Sequence, residues 1–310
     1  MEKKLISIGI PCFNEELNIR NTYTQLCAVI TKNKSYNYEF VFVDNGSIDD
    51  TKETIKKIAA KDKRVVGIFL SRNFGPEASC QAALDKASGD AFIFLECDLQ
   101  DPPELILTFI DMWEKGYDLV VGIRTKIEDD FFMRTMRKLF YKIFRAISNI
   151  DVPVNSGTFG LIDRKVMNAL VSLPETYRFY RGLRAWVGFK TYYVYYQRQK
   201  RMFGKSSYNF FNYITHAERG IFGFSYFPLD ILLYIGFFML SSAFLVICGY
   251  ILYILLYKSS FNILFSLICL VIFIGGLQIF AISIIGKYVQ VIVEESKRRP
   301  IYIVDDVING

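Results

Sequence analysis

Phe92-Ile93-Phe94-Leu95-Glu96-Cys97-Asp98-Leu99-Gln100-Asp101-Pro102-Pro103-Glu104 is the stretch whose reading decides the fold. Four apolar residues in a row, bounded by Gly89-Asp90 and then by carboxylates, have the pattern of a buried parallel strand. Pro102-Pro103 suits the first turn of a helix, where a missing amide hydrogen costs nothing. Glu96, Asp98 and Gln100 then stand at the carboxyl end of a strand, the edge of an open α/β sheet where ligands bind. Alternate oxygen-bearing side chains there suit a hard divalent cation, Mg2+ or Mn2+, shared with substrate phosphates. Carboxylates are also ordinary turn residues, so the stretch takes its meaning from its neighbours.

Upstream, Leu5 to Ile10 reads as a short apolar strand that Pro11-Cys12-Phe13-Asn14-Glu15-Glu16 turns into a helix through about Thr31. Phe40 to Val43 is a second strand, ending in Asp44-Asn45-Gly46-Ser47-Ile48-Asp49, with Gly46 free to take positive φ and Ser47 or Asp49 able to cap the next helix. Val65 to Leu70 is a third strand, Pro76 to Ala87 a helix returning to the Phe92 strand, and Leu119-Val120-Val121 a fifth strand. Strands separated by helices of this length predict a parallel, doubly wound sheet. Asp44, Glu96 and Asp98 then converge on one edge, a donor set for a nucleotide: carboxylates for base and ribose, and a cation for a diphosphate. For Asp44 taken alone, turn chemistry is sufficient.

The 310 residues hold one or two domains, and 16% aromatic content with positive mean hydropathy exceeds what a soluble domain needs. The excess is concentrated late. Ile231 to Tyr257 and Phe261 to Gly286 carry no charge, each long enough to cross a hydrocarbon core of roughly 30 Å. Only Lys258-Ser259-Ser260 separates them, which predicts a tight hairpin of two membrane helices, about 229–257 and 261–286. Basic residues precede the pair (Arg198, Arg201, Arg219) and follow it (Lys287, Lys297, Arg298), so both flanks are expected in the cytoplasm. The expected division is a cytoplasmic domain over 1–226, the hairpin over 227–288 and a cytoplasmic tail over 289–310. The net charge of +6 is read as a membrane surface and not as nucleic acid. Six scattered cysteines argue against a zinc site or a disulfide frame.

Asp130 to Ile150, wound as a helix, puts Phe132, Met136, Phe140 and Phe144 on one face and Arg134, Arg137, Lys138 and Arg145 on the other. A helix in the membrane interface and a helix docked on the sheet with a solvated basic face both satisfy that pattern. The single histidine, His216, lies in an aromatic collar before the first apolar run and has no second ligand near it in sequence.

Five motifs in order, Ile10-Pro11-Cys12-Phe13-Asn14-Glu15, Val43-Asp44-Asn45-Gly46-Ser47, Arg72-Asn73-Phe74-Gly75, Asp98-Leu99-Gln100-Asp101-Pro102-Pro103-Glu104 and the tail from Gly286-Lys287-Tyr288, resemble the family 2 glycosyltransferases of GT-A fold. Within them the similarity is to the polyprenyl-phosphate glycosyltransferases, and it covers nearly the whole chain. The resemblance implies that Pro11, Phe13, Glu15, Asp44 and Glu96 hold the nucleotide of a nucleotide-sugar, a uridine donor by analogy with bacterial relatives. It implies a cation on Glu96, Asp98 and Gln100, with Asp98 and Arg201 as the catalytic pair. It implies that Arg124, Arg134, Arg137 and Lys138 receive the phosphate of an undecaprenyl lipid, and that the chain is a homo-oligomer with a flippase as a partner. Two departures stand out. Gly157-Thr158-Phe159-Gly160 replaces the family's Gly-Asp-Phe-Arg, and Ser206-Ser207-Tyr208 replaces Ser-Lys-Tyr. The expected reaction is an inverting single displacement with no enzyme carboxylate as base, Asp163 being the residue whose loss tests this. Rival readings are a catalytically weakened membrane scaffold and a transferase acting on another lipid or on a glycan.

Overall fold

The computed structural model describes residues 3–125, 150, 152–153, 155–176, 178–199, 218, 221–222, 225–257 and 263–310. Their centre is one sheet. Strands β1 (Leu5–Cys12), β2 (Asn37–Asp44), β3 (Val65–Leu70), β4 (Ala91–Phe94), β5 (Leu119–Arg124), β6 (Ser156–Asp163), β7 (Thr191–Tyr196) and β8 (Val304–Ile308) form it in the order β7-β5-β6-β4-β1-β2-β3-β8.

The expectation of a wholly parallel sheet is corrected here. The neighbours β4, β1, β2 and β3 are parallel, as are β5 and β7, but β6 runs antiparallel between β4 and β5, and β8 runs antiparallel on β3. The physical reason is that β6 is buried along most of its length, like its parallel neighbours. An apolar run records burial and carries no arrow for direction. With only β6 and β8 reversed, the carboxyl ends of the other six strands lie along one edge. That edge also receives the first residues of β6.

Both faces are covered, and alternation along the strands assigns each side chain to a face. Phe40 and Phe42 join Ile6, Ile8, Ile93 and Phe109 on one side, under α1 (Glu16–Ile30), α2 (Thr51–Ala59) and α4 (Leu105–Glu114). Val41 and Val43 join Ile68, Phe92, Phe94 and Leu170 on the other, under α3 (Pro76–Lys86) and α5 (Arg164–Ser172). Phe92 and Phe94 are fully buried and meet edge-on at 4.6 Å; burying such a side chain is worth about 1.5–3 kcal/mol. The short helix α6 (Tyr180–Trp186) packs Tyr180 onto Phe94 at 4.7 Å.

Two long helices follow, α7 (Phe227–Tyr257) and α8 (Ile263–Ser296). Among the described residues one stretch, Phe273–Ser296, is long and apolar enough to cross a membrane. The sheet-ward end of α8 is attached to the domain, since the Glu295 carboxylate accepts from the Thr176 amide at 2.9 and 3.0 Å. The tail then returns as β8, with Lys52 paired to Asp305 at 2.9 Å. Asn309 donates to the carbonyls of Ala59 and Val65 at 2.8 and 3.0 Å. The exposed Asp305 and Asp306 on this outer strand keep its free edge charged, which disfavours pairing with another sheet.

Candidate active site

The carboxyl edge gathers two groups of side chains. In the first, the ends of β1 and β2 are knitted together. Asn14, at φ 54°, receives at its amide the Ser47 hydroxyl oxygen as acceptor, 2.9 Å away, and its side-chain oxygen accepts from the Ile48 amide at 3.0 Å. The Glu15 amide donates to Thr51 Oγ1 at 2.9 Å. Gly46 sits at φ 70° with the Arg72 backbone where a Cβ would stand, 2.5 Å away, so only glycine fits that crossing. Asn45 ties on the third loop: its Nδ2 donates to Asn73 Oδ1 at 3.0 Å, and its Oδ1 accepts from the Phe74 amide at 3.0 Å. Asp44 lies 2% exposed within this frame and accepts from the Ser47 amide at 3.1 Å. Burial raises its carboxyl above the usual range, and the Ser47 bonds recover only part of that.

The second group stands where β4, β5 and β7 end. Asp101, fully buried, accepts from the Tyr196 hydroxyl at 2.5 Å and from Arg124 Nη2 at 3.0 Å. Arg124 Nε also donates to the Tyr196 oxygen at 3.2 Å, and its Nη2 reaches Glu96 at 3.5 Å. Arg198 Nη2 donates to Glu96 Oε2 at 2.6 Å and lies 4.0 Å from Asp98. Burial pushes the Glu96 carboxyl up, but the guanidiniums of Arg124, Arg198 and Arg181 outweigh it and hold it below the usual range. Its ion pairs therefore contribute in full above the ordinary carboxylate range. They are lost only as pH falls through the lowered value. Leu99, between Asp98 and Gln100, is held at φ 55° although it is not glycine, and the Gln100 amide turns back onto Asp98 Oδ1 at 3.1 Å. A left-handed leucine costs roughly 1–2 kcal/mol, the kind of backbone strain that collects at functional sites.

Two carboxylate-bearing strand tips, an ordered loop on each side and an arginine pair lie together along this edge. Against this geometry, the family model for Glycosyl transferase family 2 matches residues 7–171. The chain belongs to glycosyl transferase family 2. It is 38% identical over 300 residues to the bactoprenol glucosyl transferase of Shigella phage SfV, covering 96% of this chain and 97% of that one. To the prophage bactoprenol glucosyl transferase homolog of Escherichia coli K12 it is 37% identical over 303 residues, covering 97% and 99%. Among solved structures, glucosyl-3-phosphoglycerate synthase from Mycobacterium tuberculosis is similar with a TM-score of 0.42 and 20% identity, over 65% of this chain and 73% of that one.

The glycosyltransferase brings Pro11, Phe13, Glu15 and Asp44 to one part of this edge and Glu96, Asp98 and Gln100 to another, on adjacent strands. Arg134, Arg137, Lys138 and Arg201, together with all but the last residue of the basic helix predicted over 130–150, lie outside the described residues. Arg124, expected at the acceptor phosphate, has its guanidinium engaged by Asp101, Glu96 and Tyr196 and is 12% exposed, which makes it a positioning group for the carboxylates. Arg198 and Asp101 were not among the expected site residues. Arg198 reads in sequence as one more flanking cation, and Asp101 as a turn carboxylate before two prolines.

The described residues contain no ready cage of three His, Cys, Asp or Glu for a cation. The oxygen donors of Asp98 and Gln100 suit Mg2+ or Mn2+. Glu96 suits one only after Arg198 leaves, because both its oxygens accept from guanidiniums.

Thr158, where the family carries an aspartate, begins β6 beside the same edge, and Arg184, 4% exposed, donates to the carbonyls of Gly157 and Thr158 at 2.8 and 3.2 Å. Asp163 is five strand positions further, paired with Ala91 at the opposite edge, where it accepts from Trp113 Nε1 at 2.7 Å and from the Lys165 amide at 2.9 Å. It caps α5 and cannot reach a substrate on the far edge. Asp163→Asn is expected to lower the thermal midpoint slightly while leaving the pH profile of kcat unchanged, and a shifted kinetic pKa would refute this placement. Gly157 is a spacing residue, since a Cβ there would stand 2.9 Å from Arg124 Nη2. Gly157→Ala is expected to cost transfer activity about tenfold or more by displacing that guanidinium, and to lower the thermal midpoint in a melting scan, because Arg124 is bonded to the buried Asp101.

Proposed function

We propose that this glycosyltransferase moves one sugar from a nucleotide-sugar, a uridine diphosphate donor, to a polyprenyl phosphate at the cytoplasmic face of the membrane, with inversion and with help from Mg2+ or Mn2+. One observation carries the lipid side of the reading. Helix α8, which contains the membrane-length stretch Phe273–Ser296, is bolted by Glu295 to the Thr176 amide of the catalytic domain, so the sheet edge and the bilayer are held at a set separation. An acceptor with a long hydrocarbon tail requires this, because drawing the tail into water costs roughly 0.8 kcal/mol per CH2. The bactoprenol glucosyl transferases, similar along almost the entire chain, support the same acceptor class. In this reading α7 and α8 form a two-helix hairpin, and Arg134, Arg137 and Lys138 meet the lipid phosphate. Arg201 meets the donor diphosphate.

In the reaction, a phosphate oxygen of the lipid attacks the anomeric carbon as the bond from that carbon to the nucleoside diphosphate breaks, and the departing diphosphate takes the electron pair. The nucleophile needs no base, since the second pKa of a phosphate monoester is about 6 and the oxygen is already anionic at neutral pH. The loss of the family aspartate at Thr158 is therefore tolerated. Asp44 and the Asn14 to Glu15 turn orient the nucleotide, and Asp98 would hold a charge-balancing cation, which would supply positive charge to the leaving diphosphate. Purified protein, undecaprenyl phosphate, Mn2+ or Mg2+ and a panel of nucleotide-sugars should yield a lipid product heavier by a single sugar. If no donor supports that product while diacylglycerol or a glycan accepts sugar, the acceptor assignment is wrong.

A further inference from the structure

Glu96, Asp98 and Asp101 meet Arg124 and Arg198 at the ends of β4, β5 and β7, with Arg181 also close enough to act on Glu96. The two arginines differ in how they are held. Arg124 is locked by Tyr196, Asp101 and Glu96 from within the sheet. Arg198 lies past the end of β7, with a more exposed side chain, 23% against 12%. Among the described residues its one short bond is to Glu96 Oε2 at 2.6 Å. Its Nε is buried 3.5 Å from Asp101, too poorly aligned to make a hydrogen bond, and finds no other acceptor among the described residues. A buried donor left without an acceptor costs about 1–3 kcal/mol.

The charges explain why a guanidinium tolerates that position. Glu96 and Asp98 attract it, at 2.6 and 4.0 Å, and a divalent cation on the same carboxylate oxygens would repel it. The carboxylate oxygen of Glu96 that suits a cation is the one that Arg198 covers.

We propose that Arg198 is a built-in stand-in for the divalent cation. In the donor-free enzyme its guanidinium closes the acidic cluster by bridging Glu96 toward Asp98. Cation binding expels it, so that cation and nucleoside diphosphate bind together and the freed positive charge is available to the diphosphate. Free metal alone then binds poorly. This rests on the cation-assisted reading given under Proposed function, and it adds a reason why cation and donor would load as a pair.

The test uses the full chain in detergent and measures Mn2+ binding by electron paramagnetic resonance, with and without uridine diphosphate, for the parent, Arg198→Ala and Arg198→Lys. Arg198→Ala should bind Mn2+ alone about tenfold more tightly or better, the effect expected from removing one close positive charge. It should also lose most of the gain in Mn2+ affinity that the nucleotide gives the parent. Arg198→Lys, which keeps the charge, should stay near the parent. A thermal scan of each variant establishes that it is folded. If Arg198→Ala binds Mn2+ no better than the parent while nucleotide still tightens Mn2+ in both, the stand-in role is refuted and the cation reading survives. If neither protein binds Mn2+ even with nucleotide, yet both glycosylate the lipid, the cation reading falls and the stand-in role falls with it.

Discussion

Asp98→Asn should reduce the rate of sugar transfer by about 10³-fold, with the loss in kcat exceeding any change in KM. The substitution keeps the size of the side chain and an oxygen to accept from the Gln100 amide, now 3.1 Å away, so the left-handed turn at Leu99 is retained. What disappears is one negative charge at the tip of β4. In the proposed reaction the cation that Asp98 would hold balances the negative charge that grows on the diphosphate as its bond to sugar breaks, and removing a group that acts on developing charge typically costs 10²–10³-fold. Interactions made chiefly in the transition state lower kcat when removed and leave ground-state binding mostly intact. Single-turnover measurement with radiolabelled donor separates chemistry from product release. Transfer at the parent rate by Asp98→Asn would mean that the β4 tip does not serve the reaction.

Asp101→Ala should be the most destabilising single change in the domain. Its carboxylate has no exposed surface and carries the Tyr196 hydroxyl on one oxygen and Arg124 on the other, with Arg198 3.5 Å away. Removing one partner of a buried ion pair leaves an uncompensated charge and costs about 3–5 kcal/mol. For a domain of this size that corresponds to a drop in melting midpoint on the order of 10 °C. Tyr196→Phe removes only the hydroxyl and keeps the ring edge-on to Phe159 at 5.7 Å, so it should cost about 1 kcal/mol. Because the two residues share a hydrogen bond, the double variant should lose less than the sum of the singles. Additive losses in calorimetry, or an Asp101→Ala protein that melts with the parent, would show that the network does not behave as one unit.

Local signals were legible where local physics suffices. The apolar run ending at Leu95, Gly46 in its turn and the prolines before α4 are short-range features, and they located the strand tips to within a residue or two. Val65–Leu70 is a strand with the bounds its sequence predicts. The capping of α2 was legible in part: Asp49 accepts from the Thr51 amide at 3.1 Å, while Ser47 is spent on Asn14 instead. Strand β6 was not legible because Gly157 and Gly160 interrupt its pattern, and β8 because its two aspartates resemble a polar tail.

From the amino-acid order alone came the alternating strands and helices, the family motifs, the carboxylates at strand ends and the late apolar helices, each encoded within a dozen or so neighbouring residues. Tertiary structure decided the direction of β6 and β8, the removal of Asp163 to the far edge and the engagement of Arg124. It also decided the meeting of Glu96 with Arg198 across 102 residues of chain. Strand direction depends on which sheet edge is open when a segment arrives, and an ion pair depends on which charges share a desolvated space. Neither quantity is a function of spacing along the chain.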